Sequence, residues 1–172
     1  MQRRSEERPD IASSKQPLGP AWFMSEFGAT TSDALMERLT ANADNLLLGW
    51  TYWAWKYYDD PTGSSAEALV QPNGKLSPAS RSISRAYPQA VSGTPISFSF
   101  DPVSSHFHML YVPNPKVTAP TVIFVPRSVH YPNGYRAAVV GGTVLSRPNA
   151  THLVVANDQG ASSVSVSITP VP

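Results

Sequence analysis

The chain is organised around Pro20-Ala21-Trp22-Phe23-Met24-Ser25-Glu26-Phe27-Gly28, a short apolar run that ends in a carboxylate and is closed by a glycine. Apolar runs of this length between Pro and Gly predict buried strands. With a period of two, neither face of this strand is polar before Glu26, which is typical of a parallel strand covered on both sides. The carboxyl ends of such strands carry the catalytic residues of barrel enzymes. Glu26 is therefore a candidate catalytic residue, and the alternative is a solvated residue that begins a turn.

A helix and a second strand are predicted next. The segment Thr30-Thr31-Ser32-Asp33 offers capping hydroxyls and an acidic first turn. Apolar residues at spacings of three and four then predict a helix over about 32–44. The run Leu46-Leu47-Leu48-Gly49-Trp50-Thr51-Tyr52-Trp53-Ala54-Trp55 is a second buried-strand candidate. Strand, helix and strand in this order are the unit of a parallel α/β sheet.

The second strand is rich in aromatic residues, and its odd positions from Leu47 to Trp55 share one face. In a barrel this face would be the interior. Trp53 would then lie at the rim on the side of Glu26, where an indole ring forms an apolar platform for a sugar. Trp55 is a second candidate for this role. Trp50 and Tyr52, on the other face, are interpreted as core residues.

The composition changes after the second strand. A short helix is predicted over about 77–87, ended by Pro88. From Gly93 onward, Val-, Ile-, Phe- and Thr-rich runs alternate with Pro, Gly and Asn, which predicts an antiparallel β-sandwich. Its predicted strands are Ile96 to Phe100, His106 to Val112, Thr121 to Val125, Tyr135 to Val140, Thr143 to Ser146, His152 to Ala156 and Val164 to Ile168. From about Ser92, this part is expected to fold better than the segment before it.

The bulk composition excludes several classes of protein. A net charge of +1 without a Lys/Arg block argues against nucleic-acid binding. The absence of cysteine excludes disulfides, thiol catalysis and thiolate metal sites. His106 and His108 stand two apart on one strand, but no third ligand lies at a suitable spacing, so they are interpreted as structural or surface residues and no metal is predicted. No apolar stretch reaches the length of a transmembrane helix, and no signal peptide is predicted at Met1.

Two segments together resemble the last two barrel strands of glycoside hydrolase family 5, in its endoglycoceramidase-like branch. They are Ser25-Glu26-Phe27-Gly28 and Gly49-Trp50-Thr51-Tyr52-Trp53-Ala54-Trp55-Lys56. Tyr87-Pro88-Gln89-Ala90-Val91-Ser92-Gly93-Thr94-Pro95 and the sandwich after it resemble the C-terminal region of the same enzymes. The resemblance implies a remnant of a (β/α)8 TIM barrel, strands 7 and 8, in residues 1–90, and a C-terminal β-sandwich in residues 91–172.

The resemblance also implies a function. Members of this branch are secreted retaining glycosidases that hydrolyse the bond between a glycan and a lipid such as ceramide, without a cofactor. By resemblance, Glu26 matches the nucleophile and Trp53 the aromatic residue at the rim. The family's acid/base glutamate belongs to an Asn-Glu-Pro motif, which this sequence lacks. A barrel of this type takes about 250 residues, so six βα units are missing and the 172-residue chain is expected to be inactive by itself.

Two other hypotheses remain open at this stage. In the first, the chain is an accessory β-sandwich module that makes peripheral contact with a glycan or a lipid surface. In the second, it is an inactive truncated product. The DNA upstream of Met1 distinguishes the three hypotheses. The glycosidase hypothesis expects the rest of the barrel there, the accessory-module hypothesis expects a signal peptide, and the truncation hypothesis expects a stop codon.

Overall fold

The computed structural model describes residues 22–28, 30–57 and 67–172. In this part of the chain, a pair of short parallel strands with a helix between them precedes two four-stranded antiparallel sheets.

The first unit is a strand-helix-strand segment. Strand β1 spans Phe23–Met24, helix α1 spans Asp33–Asn45 and strand β2 spans Gly49–Trp50. The two strands run parallel, with Phe23 opposite Gly49. The predicted parallel unit is therefore present, although its regular strands are much shorter than the apolar runs. The remainder of a barrel is not part of the described structure, so the barrel remnant stays a prediction.

Helix α1 begins where the capping residues predict. The hydroxyl of Ser32, the N-cap, accepts a hydrogen bond from the amide of Leu35 at 3.3 Å. The apolar residues whose spacing predicts this helix are Leu35, Met36, Leu39 and Ala43. Met36 and Ala43 are buried and Leu39 is half-buried, but Leu35 is 41% exposed. The buried residues are Met36, Thr40, Ala43 and Asp44. The helix is thus rotated so that two polar side chains point inward.

The antiparallel strands form two sheets. The first sheet has the order β4-β5-β10-β7, formed by Gly93–Asp101, His106–Pro113, Val164–Pro170 and Tyr135–Val140. The second has the order β3-β6-β9-β8, formed by Tyr87–Ala90, Thr121–Phe124, His152–Asn157 and Gly142–Val144. Two four-residue helices, α2 at Ser80–Ile83 and α3 at Arg127–His130, complete the described elements.

The main core lies between these two sheets. Phe107, Met109 and Tyr111 of β5 pack in one cluster with Ile123 of β6 and Val155 of β9, and all five are almost completely buried. The alternation of Val164, Val166 and Ile168 with serines in β10 places those three residues in the same core. The predicted antiparallel sandwich is confirmed.

The predicted strands of the sandwich are all present, but two elements were not predicted. The helix expected to continue to Pro88 ends at Ile83, and Tyr87–Ala90 forms β3 instead. Strand β3 lies at the edge of its sheet, where proline is tolerated because one side of the strand needs no hydrogen-bond partner. Helix α3 was also missed. The division at 90/91 stays a prediction, and β3, just before it, pairs with β6.

Candidate active site

Backbone hydrogen bonds extend the pairing of β1 and β2 beyond their regular residues. The amide of Thr51 donates to the carbonyl of Met24 at 3.1 Å, and the amide of Trp53 donates to the carbonyl of Phe27 at 3.0 Å. Between these two bonds, the hydroxyl of Thr51 donates to the carbonyl of Ser25. The backbone immediately before and after Glu26 is therefore hydrogen-bonded to the segment that carries Trp53.

The side chains alternate along this second segment as a strand requires. Gly49, Thr51, Trp53 and Trp55 are exposed, whereas the even-numbered residues between them are half-buried. Trp53 is 41% exposed and Trp55 is 70% exposed. Glu26 is exposed as well. The structure thus places the predicted nucleophile and the predicted rim aromatics on accessible surface at the carboxyl ends of paired strands, and their catalytic roles stay predictions.

An aromatic layer supports the opposite side of the strands. The ring of Phe27 packs edge-on against Trp50 and Tyr52, at centroid distances of 5.2 and 5.5 Å. The hydroxyl of Tyr52 donates to the carbonyl of Glu67 at 2.7 Å, and burial raises the pKa of this phenol. The interpretation of Trp50 and Tyr52 as packing residues agrees with these contacts.

Gly28 allows this close arrangement. Its φ of 128° is a backbone conformation that side chains with a Cβ rarely adopt. A Cβ at this position would lie 2.4 Å from the ring of Tyr52 and 2.7 Å from the carbonyl of Trp53. Only glycine therefore lets the backbone after Glu26 approach the Trp53 segment this closely.

The short segment Leu69–Val70 is hydrogen-bonded to the backbone at the end of the candidate site. The amides of Leu69 and Val70 donate to the carbonyls of Ala54 and Trp55 at 3.0 and 3.1 Å. The amide of Tyr57 donates back to Val70 at 2.9 Å. These bonds fix the backbone of the exposed Trp55 although the residue lies outside a regular strand.

The arrangement supplies one accessible carboxylate beside exposed indole rings. A carboxylate in such a place has the chemistry of a nucleophile toward an anomeric carbon, and a flat indole ring suits the apolar face of a sugar. In the described ranges, no group of three or more His, Cys, Asp or Glu residues is placed to bind a metal. No described helix has the length and apolarity of a membrane span.

The four histidines differ in environment. His106 and His108 are exposed on β5, and His152 is exposed on β9. His130 is buried, and its ring nitrogens bond the hydroxyl of Ser105 and the carbonyl of Arg81 at 2.9 and 2.8 Å. The structure therefore places His130 in a structural role and the other three at the surface.

Sequence reasoning missed the contribution of Thr51. Its hydroxyl donates to the carbonyl of Ser25, the residue before Glu26, so it helps to fix the backbone that carries the candidate nucleophile. The only signal in the sequence was a polar residue among apolar ones on the face that also carries Trp53. Sequence patterns give no cross-strand register for so short a pair, and the contact was not predictable.

Comparison with known proteins agrees with this architecture. Residues 85–169 match the model of the glycoside hydrolase family 5 C-terminal domain. Endoglycoceramidase I of Rhodococcus hoagii (strain 103S) is 34% identical over 145 residues, which are 84% of this chain and 26% of the relative. The chain thus spans about a quarter of the length of that curated relative.

Solved structures show the same fold. Endo-glycoceramidase II from Rhodococcus sp., in its ganglioside GM3 complex, superposes with a TM-score of 0.71 at 24% identity, covering 87% of this chain and 32% of that one. Cryptococcus neoformans sterylglucosidase 1 superposes with a TM-score of 0.63 at 17% identity, covering 80% of this chain and 24% of that one. These structures agree with this chain in fold, and the family match together with the sequence relative shows that the chain carries the C-terminal domain of glycoside hydrolase family 5 and belongs with the endoglycoceramidase-like members of that family.

Proposed function

We propose that this chain belongs to a secreted retaining β-glycosidase that acts on glycolipids such as glycosylceramides. In this proposal, residues 22–57 supply the last two strands of a (β/α)8 barrel. The observation that supports it best is the exposed carboxylate of Glu26 on a backbone clamped to the Trp53 segment by the 3.0 Å bond from the Trp53 amide to the Phe27 carbonyl.

The proposed reaction is a double displacement. The carboxylate of Glu26 attacks the anomeric carbon, the bond to the aglycone oxygen breaks, and a glycosyl ester forms on Glu26. A second carboxylic acid, about 5 to 5.5 Å away, protonates the departing oxygen and then deprotonates the water that hydrolyses the ester. That second acid is not assigned to any residue of this chain, which lacks the Asn-Glu-Pro motif.

Trp53 is proposed to bind the sugar through its exposed ring, with Trp55 as a second contact. Thr51 is proposed to position Glu26 through its hydrogen bond to the carbonyl of Ser25. Because the clamp involves main-chain atoms on both sides of Glu26, the backbone that carries the nucleophile is fixed before the substrate binds. Preorganisation of this kind lowers the barrier of the chemical step.

A chimera tests the proposal directly. Residues 22–172 replace the matching C-terminal part of Rhodococcus hoagii endoglycoceramidase I, and hydrolysis of a fluorescent glycosylceramide is measured. We expect the chimera to hydrolyse it and the Glu26→Gln variant to lose at least about 10³-fold in kcat, since an amide cannot form the ester. Glu37→Gln, the same change on α1, is the matched control and should retain activity.

Two further measurements complete the test. A slow 2-fluoro glycoside substrate should label the peptide that contains Glu26, as judged by mass spectrometry. The 172-residue chain alone should show no turnover, because it supplies one member of the catalytic pair and two strands of the barrel. Labelling of another carboxylate would refute the role of Glu26, and turnover by a monomer of the chain alone would refute the need for a second part.

A further inference from the structure

The outer face of the second sheet carries apolar side chains on β3, β6 and β9. Cross-strand pairs place Tyr87 of β3 beside Phe124 of β6, and Phe124 beside His152 of β9. The ring centroids are 5.5 Å apart in the first pair and 5.9 Å apart in the second. We call this surface the apolar face; its residues are Tyr87, Ala90, Val122, Phe124, Val154, Ala156 and, just after β8, Leu145, together with His152 and the uncharged polar residues Gln89 and Thr143.

The apolar face differs from an ordinary solvated sheet surface. The strands β3, β6, β8 and β9 contain no Asp, Glu, Lys or Arg. Tyr87 is 41% exposed and Leu145 is 59% exposed. The first sheet also exposes the apolar residues Ile96, Val112 and Val140. Its strands differ in carrying the charged residues Asp101 and Arg136. A continuous face that is uncharged and largely apolar is typical of a surface that meets a partner.

A cationic pocket adjoins the apolar face. Arg127, Arg147 and His152 line one cavity of about 470 Å³ with the loop residues 148–151. His152 contributes to both surfaces, since its ring also packs on Phe124. The salt bridge found within the described ranges joins Asp44 and Arg85, so no described carboxylate neutralises Arg127 or Arg147. This pocket, defined by Arg127, Arg147 and His152, is suited to an anionic group.

The combination identifies the chemistry of the partner. A neutral glycan offers no anionic group for the cationic pocket and little apolar area for the apolar face. A lipid surface presents apolar interfacial area and anionic headgroups side by side. We propose that the apolar face and the cationic pocket together dock this sandwich on a lipid surface that carries anionic headgroups.

The proposal goes beyond the glycosidase function and does not depend on Glu26. It assigns a docking role to the sandwich, which would hold an attached catalytic domain at the surface where a glycolipid substrate resides. The net charge is only +1, so the proposal assigns any preference for anionic vesicles to the local pocket and not to general attraction.

Co-sedimentation with vesicles tests both parts of the surface in the full 172-residue chain. Vesicles of phosphatidylcholine are compared with vesicles of phosphatidylcholine and phosphatidylserine. We expect tighter binding to the second kind and weaker binding as salt rises. The double variant Arg127→Gln/Arg147→Gln should lower the partition coefficient for anionic vesicles by about 30-fold, the effect of two basic contacts at such a surface.

A matched double variant controls for net charge. Arg136→Gln/Lys116→Gln removes two charges from exposed positions away from the pocket, and it should bind almost as the unchanged chain does.

For the apolar face, Tyr87→Ser/Leu145→Ser should weaken binding to both kinds of vesicle. Its control is Ile96→Ser/Val140→Ser, which replaces residues 52% and 73% exposed on the first sheet. If circular dichroism shows that the Tyr87 change impairs folding, the single variant Leu145→Ser replaces the double variant as the test of the apolar face.

Three outcomes would overturn the proposal. The first is equal binding to both vesicles, and the second is equal effects of a test variant and its control. The third is a dimer by analytical ultracentrifugation that Leu145→Ser dissociates, which would make the apolar face a contact between copies. Brominated lipids, which quench tryptophan fluorescence on contact, show independently which part of the chain meets the vesicle. All four tryptophans lie between residues 22 and 55, outside the sandwich. Quenching that persists in the variants would report binding through β1 and β2 instead.

Discussion

Arg85 and Asp44 form a buried ion pair that joins helix α1 to the sandwich. Their side chains are 2% and 4% exposed. The guanidinium of Arg85 also donates to the hydroxyl of Thr40 and to the carbonyl of Phe100, each at 3.0 Å, and it lies 5.2 Å from the ring centroid of Phe100. The amide of Phe100 donates to the Asp44 carboxylate at 3.3 Å. The helix and β4 thus share one hydrogen-bonded network.

Removal of Arg85 should destabilise the chain in a pH-dependent way. Burial raises the pKa of Asp44 to about 6, and the charge of Arg85 opposes that rise. In Arg85→Met the carboxylate is left buried without its partner, which costs about 3–5 kcal/mol at pH 7. At pH 5 the loss should be smaller, because Asp44 then takes up a proton. Urea unfolding at the two pH values measures the difference.

The sign of the Asp44 contribution follows from linkage. The folded-state pKa lies above the unfolded value, so the folded chain binds the proton more tightly. The resulting stability is present below about pH 4 and is lost as the pH rises through about 6. Arg81→Met, at an exposed position, is the control and should change the free energy of unfolding little at either pH. An equal loss in Arg85→Met at pH 5 and pH 7 would contradict this account.

Local patterns in the sequence predicted the sandwich and helix α1 well. Alternation of the kind seen in Val164–Pro170 defines a strand and its inner face, and the Ser32 cap defines the start of a helix, without knowledge of tertiary contacts. The barrel strands were predicted too long. Strands of a parallel sheet are regular when both edges are paired, and here β1 and β2 pair only with each other in the described structure.

The residues missed from the sequence depend on tertiary contacts. The apolar spacing in α1 favoured Leu35 as a buried residue, whereas the network around Arg85 draws Thr40 and Asp44 inward. Strand β3 contains Pro88, which reads as a helix terminator and is tolerated only because β3 is an edge strand. Arg127 and Arg147 are twenty residues apart in sequence, and only the fold brings them to one pocket.

His130 should make stability fall at mildly acidic pH. Burial lowers the pKa of this imidazole, so the folded chain favours the neutral ring. A folded-state pKa below the unfolded value near 6.5 gives stability that is present above about pH 6.5 and is lost as the pH falls below it. His130→Gln removes this dependence. The difference in unfolding free energy between the unchanged chain and the variant should therefore shrink from pH 7.5 to pH 5, and a constant difference would contradict the assignment.

His106→Gln controls for the removal of a histidine, because His106 is exposed on β5. Its unfolding free energy should follow that of the unchanged chain at each pH. The Asp44 contribution is common to the chain and to both variants, so it cancels in these differences.

Substitutions of Trp53 and Trp50 should have different effects, the first on substrate binding and the second on thermal stability. In the chimera, Trp53→Ala should lower kcat/KM for a glycosylceramide by about tenfold or more while the melting temperature changes little, because its ring is 41% exposed. Trp50→Ala should instead lower the melting temperature, because that ring is half-buried and packs on Phe27 at 5.2 Å. Kinetics and thermal unfolding are measured on both. A large stability loss in Trp53→Ala with unchanged kinetics would make Trp53 a packing residue.

The start of the independently folding sandwich should lie at Arg85 and not at Ser92. A chain that begins at Ser92 loses β3, and with it the pairing of Tyr87–Ala90 to β6 and the fully buried Ala86. The edge of β6, which carries the core residue Ile123, is then open to other chains, and unpaired apolar edges promote aggregation. We expect residues 85–172 to be monomeric and to unfold cooperatively, whereas residues 92–172 should melt lower and elute as aggregates in size-exclusion chromatography. Equal melting temperatures and monomeric elution for both would mean that β3 adds nothing to the sandwich, and that its pairing depends on the α1 side of the chain.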